Sequence, residues 1–191
     1  QMRDSNAVFV RNFSYGLIEP LSGEKSSLSC DVMNNQSNQF KIVVSQCRAI
    51  TMGGNRIEII QGIHSELTNE NTLANFDTKA KAFYAIISVD PFKRVPFGIA
   101  LTDESPARNQ STISEYKLHF VDEESIDAGS LGPNHLPVAR FEVKQNELAK
   151  DANYIPPCAT LAAHPGSRLL NNTVANYFEV IQQCSIEIVQ K

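Results

Sequence analysis

Along most of the chain apolar residues recur at every second position, the period of a strand with one face in a core. Leu28, Cys30 and Val32 do so within Ser27–Met33, and Phe40, Ile42 and Val44 resume the pattern after a polar hairpin loop at Asn34–Asn38. Gln46–Ile59 reads as two short strands joined by a turn at Gly53 and Gly54, residues that a tight hairpin favours. The run Ala82-Phe83-Tyr84-Ala85-Ile86-Ile87, inside Lys79–Val89, lacks polar alternation and predicts a central strand covered on both faces. Glu115–Val121 and Pro137–Val143 are further strands, and Tyr15–Pro20 is a short extended piece before a turn at Ser22–Lys25. Met2–Asn12 suits the end of a helix or a strand. Ser65–Thr72, Asp103–Gln110, Asp122–Asn134 and Asn146–Asn153 read as loops. About eight to ten strands with helix only at the ends predict an antiparallel sandwich or barrel.

Two stretches interrupt the alternation. In Asp90–Gly98, Pro91 and Pro96 bar regular pairing and predict an exposed, semi-rigid edge segment. It carries Phe92, Lys93, Arg94 and Phe97, a mixture suited to a protein-binding rim and equally to a loop whose phenylalanines fill the end of the core. The second is Asn153-Tyr154-Ile155-Pro156-Pro157-Cys158. Consecutive prolines lock two φ angles, remove two donors and push Ile155 towards an extended conformation, so Tyr154, Pro156 and Pro157 form a rigid hinge.

Beyond the hinge the period changes. Leu170, Val174, Tyr177, Ile181, Cys184 and Ile188 alternate at spacings of four and three, the seam of a helix that packs along another helix. Pro165 stops the extended chain and Ser167 is the expected N-cap. An amphipathic helix lying on its own domain and an oligomerising stalk both fit this pattern, which is still running at Lys191 and so predicts more protein after it.

Composition narrows the class. The 191 residues are 42% hydrophobic and 8% aromatic without tryptophan, enough for one globular domain with an appendage. A net charge of -4 and a pI near 5.6 argue against nucleic acid or an anionic membrane and point to a protein or small-molecule partner. Cys30, Cys47, Cys158 and Cys184 form no C-x-x-C pair and read as buried free thiols in a reducing cytoplasm, with two disulfides in a secreted protein as the less favoured alternative. N-x-S/T triplets at Asn12, Asn35, Asn109 and Asn171 are what chance yields in a chain rich in asparagine and serine.

No local motif demands chemistry. His64, His119, His135 and His164 sit in different elements, away from the carboxylates and cysteines that a catalytic or zinc site needs. The chain has no G-x-S-x-G elbow or H-E-x-x-H helix, Gly53–Gly54 lacks the helix that follows a phosphate loop, and Asp122-Glu123-Glu124 lacks a calcium loop's spacing. These residues predict no catalytic centre, no cofactor and no metal. A pocket pairing a carboxylate with His119 or His135 would revive an enzyme reading, and a pocket lined by exposed aromatics would favour a carbohydrate- or ligand-binding sandwich of a phage-tail or adhesin kind.

Several stretches taken together resemble the TssK family of type VI secretion baseplate proteins, in wording nearest to forms from Bacteroidetes. They are Phe13–Ile18, Cys47–Ile57, Arg94–Gly98, Glu115–His119 and Asn153–Cys158, in the family's order along most of the chain. The resemblance implies a mainly β fold: an antiparallel β-sandwich shoulder like that of phage receptor-binding proteins, then a C-terminal α-helix that begins a neck. Residues 1–158 would be the shoulder, and residues 159–191 the hinge and the start of the neck. It further implies a cytoplasmic, non-enzymatic adaptor at the inner face of the cell envelope, homotrimeric in full-length form. The shoulder would grip the TssF and TssG wedge. A head outside this sequence would meet the membrane complex of TssJ, TssL and TssM. The seam from Leu170 to Ile188 would then face the trimer axis, and Phe92–Phe97 would be the wedge contact.

Overall fold

The computed structural model describes residues 14–35, 38–75, 82–101, 105–126, 131–144 and 147–189. The expectation for Met2–Asn12, the triplet at Asn12 and the stretch Lys79–Lys81 lie outside the described residues. Nine strands and one α-helix are formed among those described: β1 (Gly16–Leu17), β2 (Leu28–Asn34), β3 (Gln39–Ile50), β4 (Arg56–Ile59), β5 (Leu67–Thr72), β6 (Ala82–Leu101), β7 (Arg108–Asp122), β8 (His135–Lys144), β9 (Glu147–Lys150) and α1 (Pro165–Val189). All the strand pairs are antiparallel, and they make two sheets.

The first sheet is built on β3. Residues 49 and 50 pair with β1 and also with β4, and residues 40 to 44 pair with both β2 and β5, so β1 and β2 share one edge of β3 while β4 and β5 share the other. The second sheet has the order β7-β6-β8-β9. Their inner faces meet in one core: Phe40, Ile42, Val44, Ile57 and Ile59 from the first, and Phe83, Ala85, Ile87, Leu136 and Phe141 from the second, each at most 2% exposed. Phe120 joins the layers, with ring centroids 4.9 Å from Phe40, 5.0 Å from Phe83 and 6.0 Å from Phe141. The result is the expected β-sandwich followed by a C-terminal helix.

Bulges decide which residues face inward. Ser29 pairs with Gln46 and Cys30 with Val44, so Ser45 is an extra residue on β3. A one-residue slip reverses the side-chain parity. The core-facing positions therefore run Phe40, Ile42, Val44 and then Cys47, Ala49. Gln46–Ile50 is thus the second half of one long strand rather than a separate short one. The turn after it is the expected hairpin, closed by Thr51 N–H to Asn55 O at 2.9 Å and Gly54 N–H to Thr51 O at 2.9 Å.

Three expected loops are strands in part. Ser65–Thr72 contains β5, whose inward-leaning positions are Leu67, Asn69 and Asn71, so its alternation is nearly invisible to a hydrophobic pattern. Its ladder with Gln39–Val44 and the cross-strand ion pair Lys41–Glu70 (2.6 Å) hold it as a polar edge strand. Asn146–Asn153 contains β9, which buries Leu148 alone. Asp103–Gln110 ends in the first residues of β7.

The sandwich is sealed along both seams by side chains bonding to backbone. Asn34 reads the edge of β9 at both ends of its amide, Nδ2–H to Leu148 O (3.0 Å) and Leu148 N–H to Oδ1 (3.1 Å), and Lys150 Nζ donates to Cys30 O (2.6 Å). Opposite, Asn69 Nδ2–H donates to Leu118 O (2.9 Å). Edge carbonyls and amides that no strand reaches are satisfied in this way.

Candidate interaction surfaces

The helix is mounted through the hinge, and the mount begins at β1. Gly16 has a φ of +111°, and a Cβ there would stand 2.2 Å from Pro157 O, so only glycine permits the approach. Leu17 N–H then donates to Pro157 O (2.8 Å), and Ala159 N–H donates to Leu17 O (2.7 Å), forming an isolated parallel bridge between Leu17 and Cys158. Pro156 is buried, and Tyr154 packs edge-on against Tyr84 with centroids 5.6 Å apart. Further along, Ser27 N–H donates to Ala163 O (3.1 Å), the Ser27 hydroxyl to Ile18 O, and Arg168 to Lys25 O. The double proline is therefore clamped to the sandwich over the whole stretch up to Arg168.

The first turn of α1 differs from the expected capping. Pro165 takes the first helical position, where its missing N–H is of no consequence, and His164 caps: its Nδ1 accepts from Gly166 N–H at 3.1 Å. Ser167 lies inside the helix, buried, and donates to His164 O (2.8 Å) and Leu161 O (3.2 Å). A polar residue ahead of an apolar run signals an N-cap, but a proline two residues earlier moves the start back by one turn. Burial, with Lys150 and Arg168 nearby, holds the His164 ring below the usual imidazole range.

After Arg168 no hydrogen bond or ion pair joins the helix to the sandwich among the described residues. Every side chain described from Leu169 to Ile188 is exposed. The seam residues Leu170, Val174, Tyr177, Ile181 and Ile188 range from 43% to 75% exposed, and Phe178 and Val180 flank them at 67% and 61%. An amphipathic helix lying on its own sandwich is thereby excluded. Cys184 is exposed on the same face and Cys158 half-buried, whereas Cys30 and Cys47 are buried and burial drives both thiols up, Cys30 to about 12. The expectation of buried free thiols is correct for Cys30 and Cys47 and wrong for Cys184, because α1 is uncovered.

The other projecting feature is the distal half of the β6–β7 hairpin. The two prolines do not end β6: it continues to Leu101, paired with Arg108–Ser114. Pro91 falls inside a register shift between Asp90 and Arg94, where no ladder partner is required of it. Pro96 pairs with Thr112 on a stretch that β8 has already left at Ser88, so β6 has one neighbour there and a missing donor on its open side is tolerated. The expected edge segment is a two-stranded ribbon. Phe92 is 87% exposed at its base and Ile99 79% exposed beyond. Lys93 pairs with Glu115 (2.7 Å), Arg94 donates to Ser114 Oγ (3.1 Å), and Phe97 stacks on His64 with centroids 4.7 Å apart. Phe92 fills no core, and Phe97 is half-buried against a histidine that sequence reasoning had no means of placing beside it.

A shallow groove at the base of the ribbon brings together Ser88, Asp90, Glu115, Lys117, His119 and His135. Ser88 Oγ and His119 Nε2 are 2.7 Å apart, with the His135 ring 6.2 Å from that of His119. The carboxylates are engaged elsewhere: Asp90 accepts from Phe92 N–H and Lys93 N–H, and Glu115 is held by Lys93 and Lys117. Burial, His135 and Lys117 lower the His119 pKa. Among the described residues no hydrogen bond joins a carboxylate to either histidine of this groove. No group of three or more metal-ligating side chains is assembled among the described residues, and none of their helices is long and apolar enough to cross a membrane. This groove and two others each hold one phenylalanine or tyrosine, which offers a sugar ring no stacked platform.

No protein-family model matches the sequence, and no curated protein matches it. Solved structures do. A crystal structure of TssK aligns with a TM-score of 0.53 at 14% identity, over 97% of this chain and 45% of that one. TssK from the type VI secretion system of EAEC, in complex with nanobody nb18, aligns with a TM-score of 0.50 at 13% identity, over 96% of this chain and 63% of that one. The chain thus spans less than two thirds of the length of either protein. At such identities the likeness is one of fold, and it takes in the clamped root and α1 as well as the two sheets: the chain has a TssK-like fold.

Proposed function

We infer that this chain is a structural, non-enzymatic adaptor part of a type VI secretion baseplate: the β-sandwich is a shoulder that binds the TssF and TssG wedge, and α1 begins a neck that trimerises. The observation that carries the reading is a TssK-like fold over 97% of the chain, ending in a helix whose whole apolar face is uncovered. A free-standing helix with Leu170, Val174, Tyr177, Ile181 and Ile188 in solvent costs apolar exposure that association would remove, at about 25 cal/mol for each Å² covered. A cyclic trimer closes around such a seam.

In this reading the shoulder lies within residues 1–158, and residues 159–191 are the clamped mount and the first turns of the neck. The assembly works on the cytoplasmic side of the inner face of the envelope. The membrane complex of TssJ, TssL and TssM would be met by a head beyond these residues. Phe92, Lys93, Arg94 and Phe97 are the proposed wedge contact, because the ribbon that carries them runs on beyond the pairing with β8 and presents Phe92 to solvent. No catalytic step is assigned to the Ser88–His119 pair.

Co-expression with TssF and TssG from the same organism tests the reading. Co-elution in moderate salt, weakened by Phe92→Ala together with Arg94→Ala, is the expected result. Failure of full-length protein to co-elute would sink it. The seam has its own test: Val174→Asp with Ile181→Asp should leave full-length protein monomeric in sedimentation velocity, and a trimer that survives both changes removes the assignment.

A further inference from the structure

We propose that the groove between β4 and the β6–β7 ribbon receives an acidic segment of a partner protein, with one carboxylate seated between Arg56 and Arg94. The groove measures about 270 Å³ and is lined by both arginines together with Glu58, His64, Ser114 and Tyr116. Its charges do not balance. Glu58 is the carboxylate of the groove, and it is already engaged: Arg56 Nη2 lies 2.6 Å from Oε1, and Arg48 Nε approaches the same oxygen at 3.6 Å. Arg94 spends its hydrogen bond on a neutral hydroxyl, Ser114 Oγ at 3.1 Å, and has no carboxylate among the described residues. Two arginines against one glutamate leave a local excess of positive charge, with Arg48 behind it, on a chain whose net charge is -4.

The remaining hydrogen-bond capacity leans towards donors. His64 Nδ1 accepts from Ile60 N–H at 3.2 Å, so the neutral ring carries its proton on Nε2 as a donor. Tyr116 OH is occupied by the backbone of β4, with Glu58 N–H and Arg56 O each at 3.4 Å. What is left is mostly guanidinium and imidazole N–H, and a planar, acceptor-only anion is the group that such donors fit. Apolar surface adjoins them: Phe97 stacks on His64, and Ile63, the residue before it in the chain, is 63% exposed. An acidic side chain with an apolar neighbour matches both parts, which favours a protein segment over a free phosphate.

The inference does not depend on the baseplate reading, since the groove would serve any partner of this chemistry and its test uses neither TssF nor TssG. The chain is titrated with the capped peptide Leu-Glu-Leu-Glu-Leu and with its glutamine counterpart, and the arginine Nε–H resonances are followed by NMR. Saturable shifts of Arg56 and Arg94 with the glutamate peptide are expected, with affinity about ten-fold lower for the glutamine peptide and for Arg94→Gln. Arg56→Gln should act in the same direction. Equal binding of the two peptides, shifts spread evenly over the other arginines, or an Arg94→Gln variant that binds as the parent does would overturn the proposal. Displacement by equimolar inorganic phosphate would overturn it too, and reassign the groove to phosphate.

Discussion

The sandwich interior and the surface of α1 contain the same kinds of residue in opposite surroundings. Ile42, Val44, Ile57 and Leu136 are wholly buried, whereas Leu170, Ile181 and Ile188 are 58% to 75% exposed on a helix whose described side chains after Arg168 all face solvent. The difference lies in what each apolar face has to pack against. Two sheets cover one another and then close their seams with Asn34, Lys150 and Asn69, while the helix leaves the domain at its first turn. Stability should therefore be concentrated in the sheets and the mount, and association in the projecting parts.

The largest effect expected on the sheet side comes from Phe141→Ala, which empties a fully buried site between the layers and should cost about 3–5 kcal/mol in denaturant unfolding. A loss under about 1 kcal/mol would mean the interface between the sheets is not the dominant core. At the mount, Gly16→Ala places a Cβ against Pro157 O in a left-handed backbone conformation and should cost about 1–3 kcal/mol. Hydrogen exchange at Leu17 N–H and Ala159 N–H should rise in that variant before exchange in β3 does. Protection unchanged at both amides would mean that β1 does not hold the helix root.

A smaller effect is set by pH. The His164 ring is held below its ordinary range and caps α1 through an unprotonated Nδ1, so the folded chain binds fewer protons there than the unfolded chain. The stability it contributes is whole above the unfolded imidazole pKa of about 6.5 and is lost as pH falls from there through the folded value. His164→Asn, which keeps a capping acceptor, should remove that slope; an unaltered slope in thermal melts between about pH 7 and pH 5 would refute the role of this ring. Smallest of all, Val174→Asp with Ile181→Asp should shift the unfolding of the sandwich by less than about 0.5 kcal/mol, because both side chains are exposed. A large shift would bring the helix back onto its own domain.

Most of the architecture was legible in the chain. Alternation at Leu28–Val32, Phe40–Val44 and Glu115–Val121, the unbroken apolar run at Ala82–Ile87, the Gly-Gly turn and the double proline all rest on local properties: side-chain period, φ restriction and turn conformation. The same holds for the seam from Leu170 to Ile188. These features identify an antiparallel sandwich or barrel followed by a helix before any contact is known, and the family resemblance is what favoured the sandwich.

What only the tertiary structure decided is how the edges are completed. β5 and β9 are strands because neighbouring backbone was there to pair with, although Asn69 and Asn71 face inward where a hydrophobic pattern looks for Val or Ile. Pro96 stands in a strand because β8 has ended and one edge of β6 is open. The bulge at Ser45 swaps which residues are buried, and the stacking of Phe97 on His64 joins positions far apart in the chain. Periodicity shows which residues share a face; only the packing of distant segments determines what, if anything, covers it.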